Sequence, residues 1–170
     1  MQSSIDPQGK LDSDQLMEPT LPDISSIAPS TLKQIGALPV SCDSMGQWSV
    51  TLITTRDSGR WSIPKGNPIK KLSKAEAAAM EAFEEGGLIG TMSKRTIGSY
   101  VFWKRRSGHW ELAEVAVYLM KIESRAAEFK EKGLRQIQDF SFEDAEDAIV
   151  EPGLKTLIRL TGEKLNRERG

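Results

Sequence analysis

A chain of 170 residues, 38% of them hydrophobic, is the size of one domain and carries enough apolar material for a single substantial core. Its 23 Lys and Arg against 24 Asp and Glu leave a net charge of −1, which excludes a whole-chain field drawing it to nucleic acid or an anionic membrane and makes any basic site local. One cysteine, Cys42, and one histidine, His109, exclude an intramolecular disulfide and a Cys/His zinc site, so a metal must be held by oxygen atoms, as Mg²⁺ and Mn²⁺ are.

Residues 1–30 are rich in Ser, Asp, Gln and Pro with isolated apolar residues, a composition that buries too little surface to offset ordering entropy, and they are expected to form a flexible leader before one domain at 31–166. No stretch has the length of a membrane span and the N-terminus lacks the basic and apolar regions of a signal peptide, so no membrane partner is expected and the expected compartment is the cytoplasm. Lys33–Ser41 and Gln47–Thr55, rich in Ile, Val, Leu and Thr, read as two strands around a turn at Asp43–Gly46. A second turn at Arg56–Gly59 leads to a short strand, Arg60–Ile63, stopped by Pro64.

Ser73 followed by Glu76 is a capping box, in which hydroxyl and carboxylate satisfy each other's backbone N–H groups; it starts a helix at Lys74 that should run to Glu85, with Gly86-Gly87 as its stop. Arg95–Lys104 and Trp110–Lys121 read as a hairpin closed by Arg105–His109, with His109 as a turn residue. Ser124–Gly133 is polar, Leu134–Phe140 is a last strand, and Phe142–Ile149 and Gly153–Asn166 are helices broken at Pro152. Strands and helices intermix without regular βαβ alternation, which predicts an α+β fold with a mixed sheet. Trp61, Trp103 and Trp110 are expected to pack in the core or along its edge.

At about 100° per residue, Glu81, Glu84 and Glu85 project within one arc of roughly 100° near the end of the helix. Close like charges there oppose both helix formation and the macrodipole, and no basic residue lies between Ala75 and Ser93, so a bound divalent cation is the natural offset. The opposite arc, Ala75, Ala79, Ala82 and Phe83, is expected to be the buried stripe, and Ala77, one turn before Glu81, to leave room for a ligand. Basic residues bracket the helix in sequence, Arg56, Arg60, Lys65, Lys70 and Lys71 before it and Lys94, Arg95, Lys104, Arg105 and Arg106 after it, as would suit a polyanionic small molecule.

With its flanks this segment resembles the Nudix box, G-x5-E-x7-R-E-U-x-E-E-x-G-U with U aliphatic. Gly66, Glu81, Glu84, Glu85, Gly87 and Leu88 fall in register, Ala82 is a small U, and Leu72 and Met80 stand where the first glutamate and the arginine are expected. Arg60–Gly66 is similar to the lead-in of the diphosphoinositol polyphosphate and diadenosine polyphosphate hydrolase branch. The resemblance implies an α/β/α sandwich and a Mg²⁺-dependent pyrophosphohydrolase, with Mn²⁺ as a substitute, cleaving a diphosphate linkage of a nucleoside or inositol polyphosphate by attack of water on phosphorus. Metal ligation transfers to Gly66, Glu81, Glu84 and Glu85, and assistance in deprotonating the water to Glu81, Glu84 or a further carboxylate such as Glu131, with Glu128 and Glu114 as its competitors. Arg60, Lys65 and Lys104 are the implied substrate contacts. The family arginine helps orient the glutamates, so Met80 and Leu72 motivate an alternative, a degenerate Nudix domain that binds a ligand or partner with little or no turnover. Removal of pyrophosphate from RNA ends has less support, because no dispersed basic face suggests nucleic acid.

Overall fold

In the computed structural model, which describes residues 31–169, the elements run β1 (Leu32–Cys42), β2 (Trp48–Thr54), β3 (Trp61–Ser62), β4 (Lys65–Gly66), α1 (Lys74–Gly86), β5 (Leu88–Met92), β6 (Gly98–Arg106), β7 (His109–Arg125), β8 (Ile137–Phe140), α2 (Phe142–Ala148) and α3 (Pro152–Glu168). The leader expected at 1–30 lies outside the described residues. Gln34 to Val40 of β1 are all buried, with Ile35 and Ala37 packed on one face and Leu38 and Val40 on the other. A strand covered on both faces has no polar alternation to show, which is how this run reads in sequence.

β1 pairs in parallel with β7, from Leu32 opposite Ala113 to Val40 opposite Lys121. Its other edge is divided, Ile35 and Gly36 pairing antiparallel with Gly66 and Lys65 of β4, and Val40 to Cys42 with β2. β7 is divided in the same way, its first half taken by β6 and its second by β5. β3 and β8 flank β2, completing a mixed sheet. On one face α1 packs through Ala77, Ala78 and Ala82 onto Ile35, Ala37, Tyr118 and Met120. On the other, Ala145 of α2 and Leu154, Ile158 and Leu165 of α3 pack onto Leu38, Val50, Val115 and Val117. This is the expected α/β/α sandwich.

The capping box forms as the sequence requires, with the Glu76 N–H donating to Ser73 Oγ at 3.2 Å and the Ser73 N–H donating to Glu76 Oε2 at 2.8 Å. Gly87 ends the helix in the left-handed region at φ 64°, where a Cβ would also run into the Phe129 ring. Several boundaries differ from the sequence expectation. Pro152 begins α3 instead of breaking it, because the first helical position needs no donated N–H; the break falls at Ile149–Glu151. His109 is the first residue of β7, opposite Arg106, and only Ser107 and Gly108 turn, the latter at φ 80°. β4 and β5 were not expected: one is two residues long beside Pro64, and the other carries Gly90 directly after the Gly86-Gly87 stop.

The buried face of α1 is rotated from the expected stripe. Ala77, Ala78, Ala82 and Glu85 point inward, whereas Ala75 and Ala79 are half-buried and Phe83 is exposed. Hydropathy ranks Phe83 above Ala, but a row of methyl groups lets the helix axis approach the sheet closely, and the sheet selects that row. Trp103 and Trp110, expected in the core or along its edge, are 60% and 63% exposed on the β6–β7 hairpin, which projects past the helices. Trp61 packs edge-on against Phe140, 5.0 Å between ring centroids. Among the described residues no helix is long and apolar enough to cross a membrane.

Removing the cap tests the helix start. Ser73→Ala should lower the unfolding free energy by about 1 kcal/mol, and Gly87→Ala by more than that, since it adds backbone strain to the Phe129 clash; urea denaturation of each purified variant measures both.

Candidate active site

α1 ends over β4, and this brings the loop glycine and the helix glutamates together. A Cβ placed on Gly66 would overlap the Glu81 carboxylate, so only glycine leaves the space that this side chain uses. The Glu81 and Glu85 carboxyls lie close enough for each to shift the other's proton affinity. Glu85 is 7% exposed, and its burial drives its pKa up to about 8 despite the opposing pull of Arg135 and Lys65, with Glu81 and Glu131 adding to the rise. Burial likewise raises Glu81, and Glu84 and Glu131 reinforce the shift. Neighbouring carboxyls withdrawn from water favour the protonated form unless a cation offsets their charge.

Glu84 stands apart from that pair, its Oε2 3.2 Å from Lys130 Nζ. Among the described residues no three carboxylate, imidazole or thiol side chains form a ready-made metal cage. The donors present are nonetheless hard oxygens, and Glu84 is restrained only by a solvent-exposed ion pair, a contact worth about 0–1 kcal/mol. The set fits a divalent ion of the Mg²⁺ or Mn²⁺ type.

The helix charges are not left bare, as the sequence had suggested. Their counter-charges come from the segment between β7 and β8, remote in the chain and adjacent in space: Lys130 reaches Glu84, and Arg135 NH2 lies 3.5 Å from Glu85 Oε2. Glu131 belongs to the same group, its backbone N–H donating to the Glu84 carbonyl at 2.9 Å and its carboxylate meeting Arg135 Nε at 2.6 Å and Arg56 at 3.5 Å. Its two competitors lie elsewhere, Glu128 paired with Lys132 and Glu114 with Lys33.

Glu85 also lines a cavity of about 690 Å³ whose wall carries six cations, Arg56, Arg60, Lys65, Lys104, Arg105 and Arg135, with Asp57 as the other acid and Phe102 and Trp110 as flat apolar faces. Arg60, Lys65 and Lys104 are therefore brought together. Lys65 Nζ donates to Ser62 Oγ at 3.2 Å and sits 5.2 Å from the Phe102 ring centre. Burial lowers its pKa, against the pull of Glu85 and Glu151. Lys104 is lowered by partial burial and by Arg106. Gln34 adds a buried Oε1 that has no hydrogen-bond partner among the described residues. Lys70, Lys71, Lys94, Arg95 and Arg106 do not line the cavity, and Arg106 pairs with Glu111. Ala77, expected beside Glu81 on the acidic side, is buried in the core.

Leu72 and Met80, the two departures from the box, lie together in a different place. With Phe83 and Ile89 they line a shallow apolar groove on the outer flank of α1, and neither borders the cavity.

No sequence-family model and no curated protein sequence matches the chain. Solved structures do. An Ap4A hydrolase from C. elegans superposes with a TM-score of 0.58 at 15% identity, over 79% of this chain and 98% of its own. The Nudix domain of Shewanella oneidensis NrtR, complexed with ADP ribose, does so with a TM-score of 0.57 at 14% identity, over 82% and 88%. A MutT protein from Methanosarcina mazei gives 0.54 at 17%, over 82% and 97%. The chain has the Nudix fold. The segment that resembles the box lies with Gly66 on β4 and Glu81 to Glu85 on the last turns of α1.

What the sequence did not single out is Arg135. Its one local signal is the four-residue spacing from Glu131, which places opposite charges within reach in a helical turn.

An acid whose folded-state pKa lies above its unfolded value is more tightly protonated in the folded chain. The contribution of Glu85 to stability is thus full below about pH 4.5 and is lost as pH rises toward 8. Melting temperatures recorded in EDTA across that window should fall with rising pH, and Glu85→Gln should flatten the slope.

Proposed function

We propose that the chain is a divalent-metal-dependent pyrophosphohydrolase of the Nudix family, acting on a diphosphate linkage in a nucleoside or inositol polyphosphate. The observation that carries this reading is that Glu85 is common to two features: the buried carboxylate group against Gly66 and the cation-lined cavity. The fold shared with an Ap4A hydrolase and with an ADP-ribose-bound domain supports it, and the Arg60–Gly66 segment inclines it toward the diadenosine and diphosphoinositol polyphosphate branch.

Glu81, Glu84, Glu85 and the Gly66 carbonyl would hold Mg²⁺ or Mn²⁺, which when bound neutralises the adjacent phosphate charges and lowers the pKa of water. Arg60, Lys65 and Lys104 bind phosphate oxygens, joined by Arg56 and Arg105 from the same wall. Deprotonation of the attacking water falls to the carboxylates at this point, Glu81, Glu84 or Glu131. Oxygen then bonds to phosphorus, the P–O anhydride bond breaks, and the cavity cations meet the charge of the departing phosphate.

A domain that binds without turnover is the second reading, motivated by Leu72 and Met80, which stand where the box has its first glutamate and its arginine. Turnover separates the two. With Mg²⁺ and a panel of dinucleoside polyphosphates, diphosphoinositol polyphosphates and ADP-ribose, the wild type should hydrolyse at least one member, and Glu84→Gln/Glu85→Gln should be slower by about a hundredfold. Equal rates for wild type and double variant on every substrate would refute the enzyme reading. Because Met80 lies on the groove and not the cavity, Met80→Arg should change the rate less than about twofold; a large gain would favour the non-turnover reading of the wild type.

A further inference from the structure

The geometry points to Arg135 as the positioning residue of the site, a guanidinium clamp that holds the Glu85 and Glu131 carboxylates in register with each other and with the cavity; this rests on the proposed function above. The Arg135 side chain is 12% exposed, and its three nitrogens go to three different parts of the fold. Nε meets Glu131 Oε2 at 2.6 Å, NH2 faces Glu85 Oε2 at 3.5 Å, and NH1 donates to the Thr54 carbonyl at the end of β2 at 2.9 Å. A planar fork fixed at one end to the sheet can set the angle between two carboxylates, which a point charge cannot.

No other cation among the described residues does this. α1 has none beyond Lys74, and Lys65, the other cation acting on Glu85, donates instead to Ser62. The residue at the arginine position of the box, Met80, is exposed on the opposite flank of α1 beside Leu72 and Phe83. The orienting cation therefore comes from the segment leading into β8 and not from the helix.

Three explanations of Arg135 differ in sign when it is replaced. Mn²⁺ binding, followed by electron paramagnetic resonance without substrate, and steady-state kinetics with Mg²⁺ separate them on wild type, Arg135→Lys and Arg135→Met. A positioning role predicts Mn²⁺ affinity weakened about tenfold in both variants and kcat reduced by about ten- to a hundredfold, with KM within threefold, because lysine keeps the charge but not the fork. A role as bulk positive charge predicts the reverse for the metal: Arg135→Met would bind Mn²⁺ more tightly and Arg135→Lys would resemble wild type. A purely structural role predicts a lower melting temperature with affinity and kcat unchanged. Either of the last two results overturns the proposal. Wild type that neither binds Mn²⁺ nor turns over refutes the enzyme reading itself, whereas active wild type with indifferent variants refutes only the clamp. Should both variants misfold, the Arg135 Nε–H resonance of the wild type decides: it should shift on titration with Mg²⁺, and an unmoved resonance would overturn the assignment.

Discussion

The parallel pairing of β1 with β7 is the constraint from which the site follows. Both strands are covered on their two faces, so each must supply apolar side chains to both layers, and each offers its second edge to two shorter partners. On β1 those partners are β4 and β2. The pairing of Ile35 with Gly66 fixes the glycine loop against the sheet, and α1, lying across the same face through alanine side chains, is brought down on it. Close approach is what places the Glu81 carboxylate where a Cβ on residue 66 would stand.

Burial and charge then pull against each other. The methyl row that lets α1 approach the sheet lies on the same arc as Glu85, so close packing necessarily carries a carboxylate out of water. An isolated buried carboxylate is expensive, and here burial raises the Glu85 pKa while Arg135 and Lys65 supply opposing positive charge.

The two flanks of α1 separate Leu72 and Met80 from the glutamates. Leu72 and Met80 are neighbours on an apolar groove, while the glutamates face Gly66 and the segment before β8. Leu72 and Met80 therefore shape the helix surface and do not border the cavity wall.

The sequence by itself determined what depends on near neighbours. The capping box at Ser73 and Glu76 and the glycine stop are local hydrogen-bond and dihedral requirements, and the continuous apolar run of β1 reports burial on two faces; all are legible without coordinates. The spacing of Gly66, Glu81, Glu84 and Glu85 is likewise local enough to place the acidic group on one helix end. Only the tertiary structure decided which arc of α1 is buried, since hydropathy favours Phe83 whereas close packing favours alanine. It alone decided that Lys130 and Arg135 supply the counter-charge, that Trp103 and Trp110 stay exposed, and which of ten sequence-flanking cations reach one cavity. Charge pairing depends on distance in space, and a sheet that pairs Ile53 with Ile137 makes neighbours that chain order does not reveal.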